Sequence, residues 1–152
     1  MNPNQEGRMT LNIITPTGEH DPRQVAFVVL PGADGYLGIL PRHTPLVTAL
    51  KPGVVISQEE GGPFGEPAER HYFAISGGFA EVAENVVTVL ADTAELSEQI
   101  DVQRARDALR RARQRLQQPE EETDVLRARV AVERAMARLQ AAEQHDPRRG
   151  NE

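Results

Sequence analysis

Near Ile100 the chain changes character, and no other feature constrains its fold as much. Up to that point short apolar segments alternate with breaks that carry glycine or proline. From Asp101 to Arg149 there is no glycine, and arginines are set among regularly spaced alanines, valines and leucines. The two stretches call for different secondary structure, so two modules follow. At 152 residues the chain can bury one core of about a hundred residues plus a smaller appendage, not two full domains.

In the first module, residues 10–14, 24–30, 53–57, 70–75, 79–82 and 86–90 read as short strands rich in Val, Ile and Phe. Between them lie Thr15-Pro16-Thr17-Gly18, Pro31-Gly32-Ala33-Asp34-Gly35, Lys51-Pro52-Gly53, Gly61-Gly62-Pro63, Ser76-Gly77-Gly78 and Glu84-Asn85, all turn chemistry. Strands in series with no helical period between them predict an antiparallel sandwich or flattened barrel. Residues 58–69 are acidic and glycine-rich and predict a long, mobile hairpin loop on the surface.

This scaffold offers no catalytic constellation. The absence of cysteine removes a thiol nucleophile, a zinc-thiolate site and a disulfide framework, and agrees with a reducing compartment. Gly32-Ala33-Asp34-Gly35 lacks the Gly-Lys-Ser/Thr of a phosphate loop and opens no helix, so it reads as a plain turn. His20, His43, His71 and His145 show no ligand spacing, and no metal site is expected from them. His43 falls in Pro41-Arg42-His43-Thr44-Pro45 and reads as a turn histidine bonded to nearby carbonyls. Nor can a nucleophile be paired with a base, so an enzyme is not expected.

The net charge of −6 conceals a division: residues 1–100 hold five basic and thirteen acidic side chains, residues 101–152 twelve and ten. The basic residues are interspersed with Glu and Asp, which argues against nucleic acid as a partner. Residues 1–8 read as a polar leader without the apolar centre of a signal peptide. No run approaches the roughly 18–20 apolar residues that span a bilayer, so membrane contact is expected only through a partner.

Beyond Ile100, Val102, Ala105, Leu109, Ala112 and Leu116 recur at alternating spacings of three and four, the seam of a coiled coil, with Asp101 as N-cap. Gln117-Gln118-Pro119 breaks the pattern, and Glu120, Glu121 and Glu122 supply the acidic start of a second helix. Its seam is Val125, Ala128, Val132, Ala135, Leu139 and Ala142. The short link implies an antiparallel helical hairpin. Because the seam is half alanine it buries little apolar surface against the cost of ordering the helices, so a marginally stable, movable element is expected. Arg104 and Arg111 lie two turns apart on one helix, and Arg134 and Arg138 one turn apart on the other. Their mutual repulsion is relieved by an anion or by local carboxylates such as Glu133.

Two strings carry a resemblance. PGADGYLGILPRHTPLVTALKPGVV at residues 31–55 is similar to the most recognisable stretch of the ε subunit of bacterial F-type ATP synthases. ISGGFAEV at 75–82 followed by VTVLADTAE at 87–95 is similar to its second, and with the tail the resemblance covers residues 9–143. It implies an α+β fold in two parts: a β-sandwich of about ten strands over residues 9–96, then a C-terminal helical hairpin over 97–144 and a disordered tail over 145–152. It further implies a non-catalytic rotor subunit placed between γ and the c-ring, on the cytoplasmic face of the bacterial inner membrane. The hairpin of such proteins switches between folded-down and extended forms, the extended one reaching the α/β subunits and inhibiting ATP hydrolysis.

The family also has an ATP-binding motif, Ile or Leu, then Asp, two variable residues, Arg and Ala. Ile100-Asp101-Val102-Gln103-Arg104-Ala105 matches it, and Glu95, Arg111, Arg134 and Arg138 fall where ATP-binding members carry Glu and Arg. ATP is therefore implied as a regulatory ligand, with no cofactor required. Tyr36 and His43 are implied to face the c-ring or γ, although many members carry an acidic residue at the position of Tyr36. Two other functions remain in view: a free-standing ATP-sensing module, and an adaptor whose coiled coil docks an unrelated helix. Stable association with γ separates the first reading from both.

Overall fold

The computed structural model describes residues 7–61 and 66–145. Most of the leader, the centre of the long loop at 62–65, and 146–152 of the tail lie outside the described residues. The strands are β1 (Met9–Thr15), β2 (Gly18–Glu19), β3 (Arg23–Val25), β4 (Phe27–Gly32), β5 (Gly35–Ile39), β6 (Leu46–Gln58), β7 (Arg70–Ala83), β8 (Val86–Ala91) and β9 (Ala94–Leu96). A 3-10 turn (Ser97–Gln99) leads to α1 (Val102–Gln117) and α2 (Glu122–Gln144).

The strands form one hydrogen-bonded sheet in the order β2-β1-β8-β7-β6-β4-β5, with β3 added to β1 and β9 to β7. The long hairpin of β6 and β7 is its spine. Along β7 the second partner changes: Phe73, Ala74 and Ile75 face β9, whereas Gly78 to Ala83 face β8. That exchange turns one sheet into the two layers of a sandwich, whose interior takes Leu11 and Ile13 from β1, Leu30 from β4, Phe73 and Val82 from β7 and Val89 from β8.

Two expected turns prove to be bends inside strands. Lys51-Pro52-Gly53 lies within the 13-residue β6, and Ser76-Gly77-Gly78 within the 14-residue β7. Gly77 and Gly78 adopt φ of +105° and +144°, which side chains rarely tolerate, and a Cβ on Gly78 would collide with the Leu90 carbonyl. Glycine here lets a strand bend and lets β8 come close. In contrast, Glu84 (φ 51°) and Asn85 (φ 62°) do form the two-residue turn between β7 and β8. The expected strand at 24–30 is divided at Ala26 into β3 and β4, and β2, β5 and β9 are additional. Among the described strands one pair, β1 with β8, is parallel, from Thr10↔Val86 to Ile14↔Leu90, and the other pairs are antiparallel.

A second, smaller cluster lies on the outer face of the sheet, where Val54 and Ala74 meet Ile100 and Ala141, flanked by Ile56, Tyr72 and Ala142. Successive residues of a strand point to opposite faces, so Val55, Phe73 and Ile75 enter the sandwich while Val54, Tyr72 and Ala74 turn to the helix. This explains the unbroken apolar run at 53–56: both of its faces are covered. The covering element is α2.

Candidate functional site

The second helix presents two small-residue stripes. Ala128 and Ala135 are buried toward α1, where they meet the seam that contains Ala105 and Ala112. Ala137 and Ala141, one turn apart and off that seam, are buried as well, and Ala141 lies in the cluster on β6 and β7. At 1.5 Å per residue the 16 and 23 residues of the helices give rods of about 24 and 35 Å. Alanine adds little apolar surface to either stripe.

Between the alanines of that second stripe stands Arg138, which ties the helix to the sheet. Its Nε donates to Glu95 Oε2 at 2.8 Å and its Nη2 to Oε1 at 3.2 Å, so guanidinium and carboxylate meet fork to fork. The two side chains are 27% and 31% exposed, enough shielding for the pair to matter more than a surface ion pair. β9 positions Glu95 by pairing Ala74↔Glu95 on β7, directly beside the apolar patch. A weaker contact closes the far end of α2, where His145 Nε2 is 3.7 Å from Glu98 Oε1.

Asp101 caps α1: its Oδ1 accepts from the Arg104 backbone N–H at 3.0 Å. Ile100, just before it, is buried against the sheet, and Ala105 is buried in the seam. Arg104, Arg111 and Arg134 are exposed, and none forms an ion pair among the described residues. Of the eight sequence candidates for ATP, the structure thus joins Glu95 to Arg138 and sets Ile100, Asp101, Arg104 and Ala105 at the start of α1. It shows no direct contact among the remaining arginines. A concave surface of about 370 Å³ at the hairpin tip, lined by Arg115, Glu120, Asp124 and Arg127 among others, includes none of the eight.

Tyr36, on β5, is 50% exposed. His43 follows that strand in a turn where its Nδ1 bonds the Thr44 carbonyl at 2.7 Å. The sequence reading did not single out an apolar row on the outer surface: Ile14, Leu90, Phe79 and Ala49 are successive cross-strand partners on β1, β8, β7 and β6. Phe79 and Leu90 are 59% and 51% exposed. The available signal was strand alternation, with Phe79 and Leu90 out of phase with the core residues Ala80 and Val89.

Residues 8–97 match the family described as ATP synthase, Delta/Epsilon chain, beta-sandwich domain, and residues 98–143 match its long alpha-helix domain. The ATP synthase epsilon chain of Desulforamulus reducens is 53% identical over 106 residues, covering 70% of this chain and 75% of its own length. That of Pelotomaculum thermopropionicum is 46% identical over 106 residues, with 70% and 74% covered. Among solved structures, a chain of the Euglena gracilis mitochondrial ATP synthase, in an OSCP/F1/c-ring assembly, superposes with a TM-score of 0.76 at 27% identity over 94% of this chain and 86% of that one. A chain of the Tetrahymena thermophila central stalk and c-ring shares the fold, with a TM-score of 0.53 at 16% identity over 90% of this chain and 94% of that one. With both modules matched in order along the chain, this protein belongs to the family of bacterial F-type ATP synthase epsilon subunits.

Proposed function

We propose that this chain is a non-catalytic central-stalk subunit that joins γ to the c-ring and restrains ATP hydrolysis through its C-terminal hairpin. The sandwich is the rigid part, and its exposed apolar residues, Tyr36 and the Phe79–Leu90 pair among them, supply partner surface. No described helix is long and apolar enough to cross a membrane. The chain is held peripherally, on the cytoplasmic face of the inner membrane, by the complex it serves.

One observation carries the regulatory part of this reading: the hairpin rests on the sheet through a small alanine-bearing patch and one forked ion pair. An element held by so little buried area opens at low free-energy cost. Leu126 and Val130, one turn apart on α2, are exposed in the folded-down form and give the extended helix apolar surface for the α/β subunits. The test is reconstitution with γ and the catalytic subunits. The full chain is expected to co-purify with γ, and a chain ending before Asp101 to bind γ equally while raising ATP hydrolysis. Failure of the full chain to bind γ contradicts the stalk assignment and favours a free-standing ATP sensor. Unchanged hydrolysis in the shortened chain contradicts regulation alone.

The exposed arginines favour a second layer, ATP as regulatory ligand. Arg104, Arg111 and Arg134 have no carboxylate partner among the described residues and can neutralise a polyphosphate, while the Glu95–Arg138 pair stands ready to be rearranged by one. Binding to the folded-down form alone stabilises it by RT ln(1 + [ATP]/Kd). Calorimetry on the full chain is expected to show saturable ATP binding that Arg134→Ala weakens. No heat at millimolar ATP, with the fold intact, removes this layer and leaves the stalk assignment standing.

A further inference from the structure

We propose that Glu59, Glu69 and His71 form a divalent transition-metal site at the base of the long loop between β6 and β7. Nothing in their sequence spacing suggests this, because the three ligands are divided between the two ends of a loop. Strand pairing brings them together. Ser57 and Gln58 pair with His71 and Arg70, and the Glu59 N–H then donates to the Glu69 carbonyl at 2.9 Å, so the loop is closed at its stem.

One ligand atom from each of Glu59, Glu69 and His71 lies within 4.8 Å of the others. His71 Nε2 is 3.3 Å from Glu59 Oε1 and 3.7 Å from Glu69 Oε1. Zinc bonds of about 2.0–2.2 Å in tetrahedral geometry place neighbouring ligand atoms about 3.3–3.6 Å apart, so small side-chain movements complete the set.

An acidic pair alone would not indicate a site. The independent observation is the imidazole: His71 is 8% exposed, and its Nε2 is buried with no hydrogen-bond partner among the described residues, although it points between two carboxylates. Buried polar atoms are satisfied in nearly all native structures, and a cation bound to Nε2 and both carboxylates satisfies all three groups at once. One imidazole nitrogen with two carboxylate oxygens selects a zinc-like ion. Mg²⁺ and Ca²⁺ prefer all-oxygen shells, and no thiolate is present to draw a softer metal. The fourth position is left to water. Arg23 is the competing cation, but its Nη1 stands 3.8 Å from Glu59 Oε1 and its guanidinium also lies over the Phe73 ring, so it touches only one carboxylate of the set. An ion here would tie both stems of the loop and brace the end of β6, where Gln58 meets Ala26 and Phe27.

Equilibrium dialysis of the full chain against Zn²⁺ alone, at neutral pH, tests the proposal. One saturable zinc per chain is expected, with affinity at least tenfold lower in Glu69→Gln. That side chain is 70% exposed, so the change leaves the core untouched. His71→Gln is expected to abolish the site. Zinc should also move the ¹⁵N resonance of His71 Nε2 while leaving those of His20, His43 and His145 in place, a readout that needs no variant. Absence of saturable binding, binding undiminished in Glu69→Gln, or a shift at a different histidine overturns the proposal.

Discussion

At Gly78 a side chain would run into the Leu90 carbonyl and come within 2.9 Å of the Ala91 Cα, both backbone and unable to yield. Gly78→Ala is therefore expected to cost about 3 kcal/mol in urea unfolding. Gly18→Ala, equally left-handed but with open space around its Cβ, should cost only about 1 kcal/mol. Equal losses would show that steric approach of β8 is not what fixes Gly78. At Arg138 the argument concerns docking rather than folding. Arg138→Ala removes both hydrogen bonds to Glu95 and is expected to weaken the seating of α2 by about 1–2 kcal/mol, seen as faster amide exchange in α2 with the sandwich unchanged. Such residues were legible to different degrees. Asp101 as N-cap follows from local chemistry and is found in place. Gly77 and Gly78 could be seen to be special but not why: a Gly-Gly pair serves a turn and a bent strand equally well, and only the strand that must approach it decides. Glu95 and Arg138 are 43 residues apart, and neither signals the other except through the family motif.

Among the elements, the helices were the most readable, because a period of three and four repeats within a few turns and needs no distant partner. The break at Gln117 to Pro119 is observed, with α1 ending at Gln117. What the seam did not disclose was the second stripe on α2, Ala137 and Ala141, since isolated alanines look the same at an interface as in solvent. The sheet was readable strand by strand but not as a topology. The parallel pairing of β1 with β8 joins segments about 76 residues apart, and pairing of that range leaves no local trace. A prediction belongs at this scale. Ala141 is fully buried against Val54, Ala74 and Ile100, so Ala141→Glu places an unpaired charge in the only apolar patch that seats the hairpin among the described residues. Helix content measured by circular dichroism is expected to fall while the urea midpoint of the sandwich stays the same. Loss of both together would mean that hairpin and sandwich fold as one unit.

For the whole molecule, the two parts differ in what holds them. Among the described residues, sixteen buried ones from strands across the sheet make the main core of the sandwich, whereas four make the core beneath the hairpin. Such an imbalance is what the proposed regulation requires: a body that stays folded and an arm that can leave it. ATP, if it bridges the arm to the body, shifts this balance toward the folded-down form, and the shift is limited by its affinity for that form over the extended one. Native-state hydrogen exchange on the full chain tests the central claim most directly. The account predicts that amides of α1 and α2 exchange through openings of much lower free energy than those of β6 and β7, and independently of them. Protection in the helices equal to that of the central strands would contradict it.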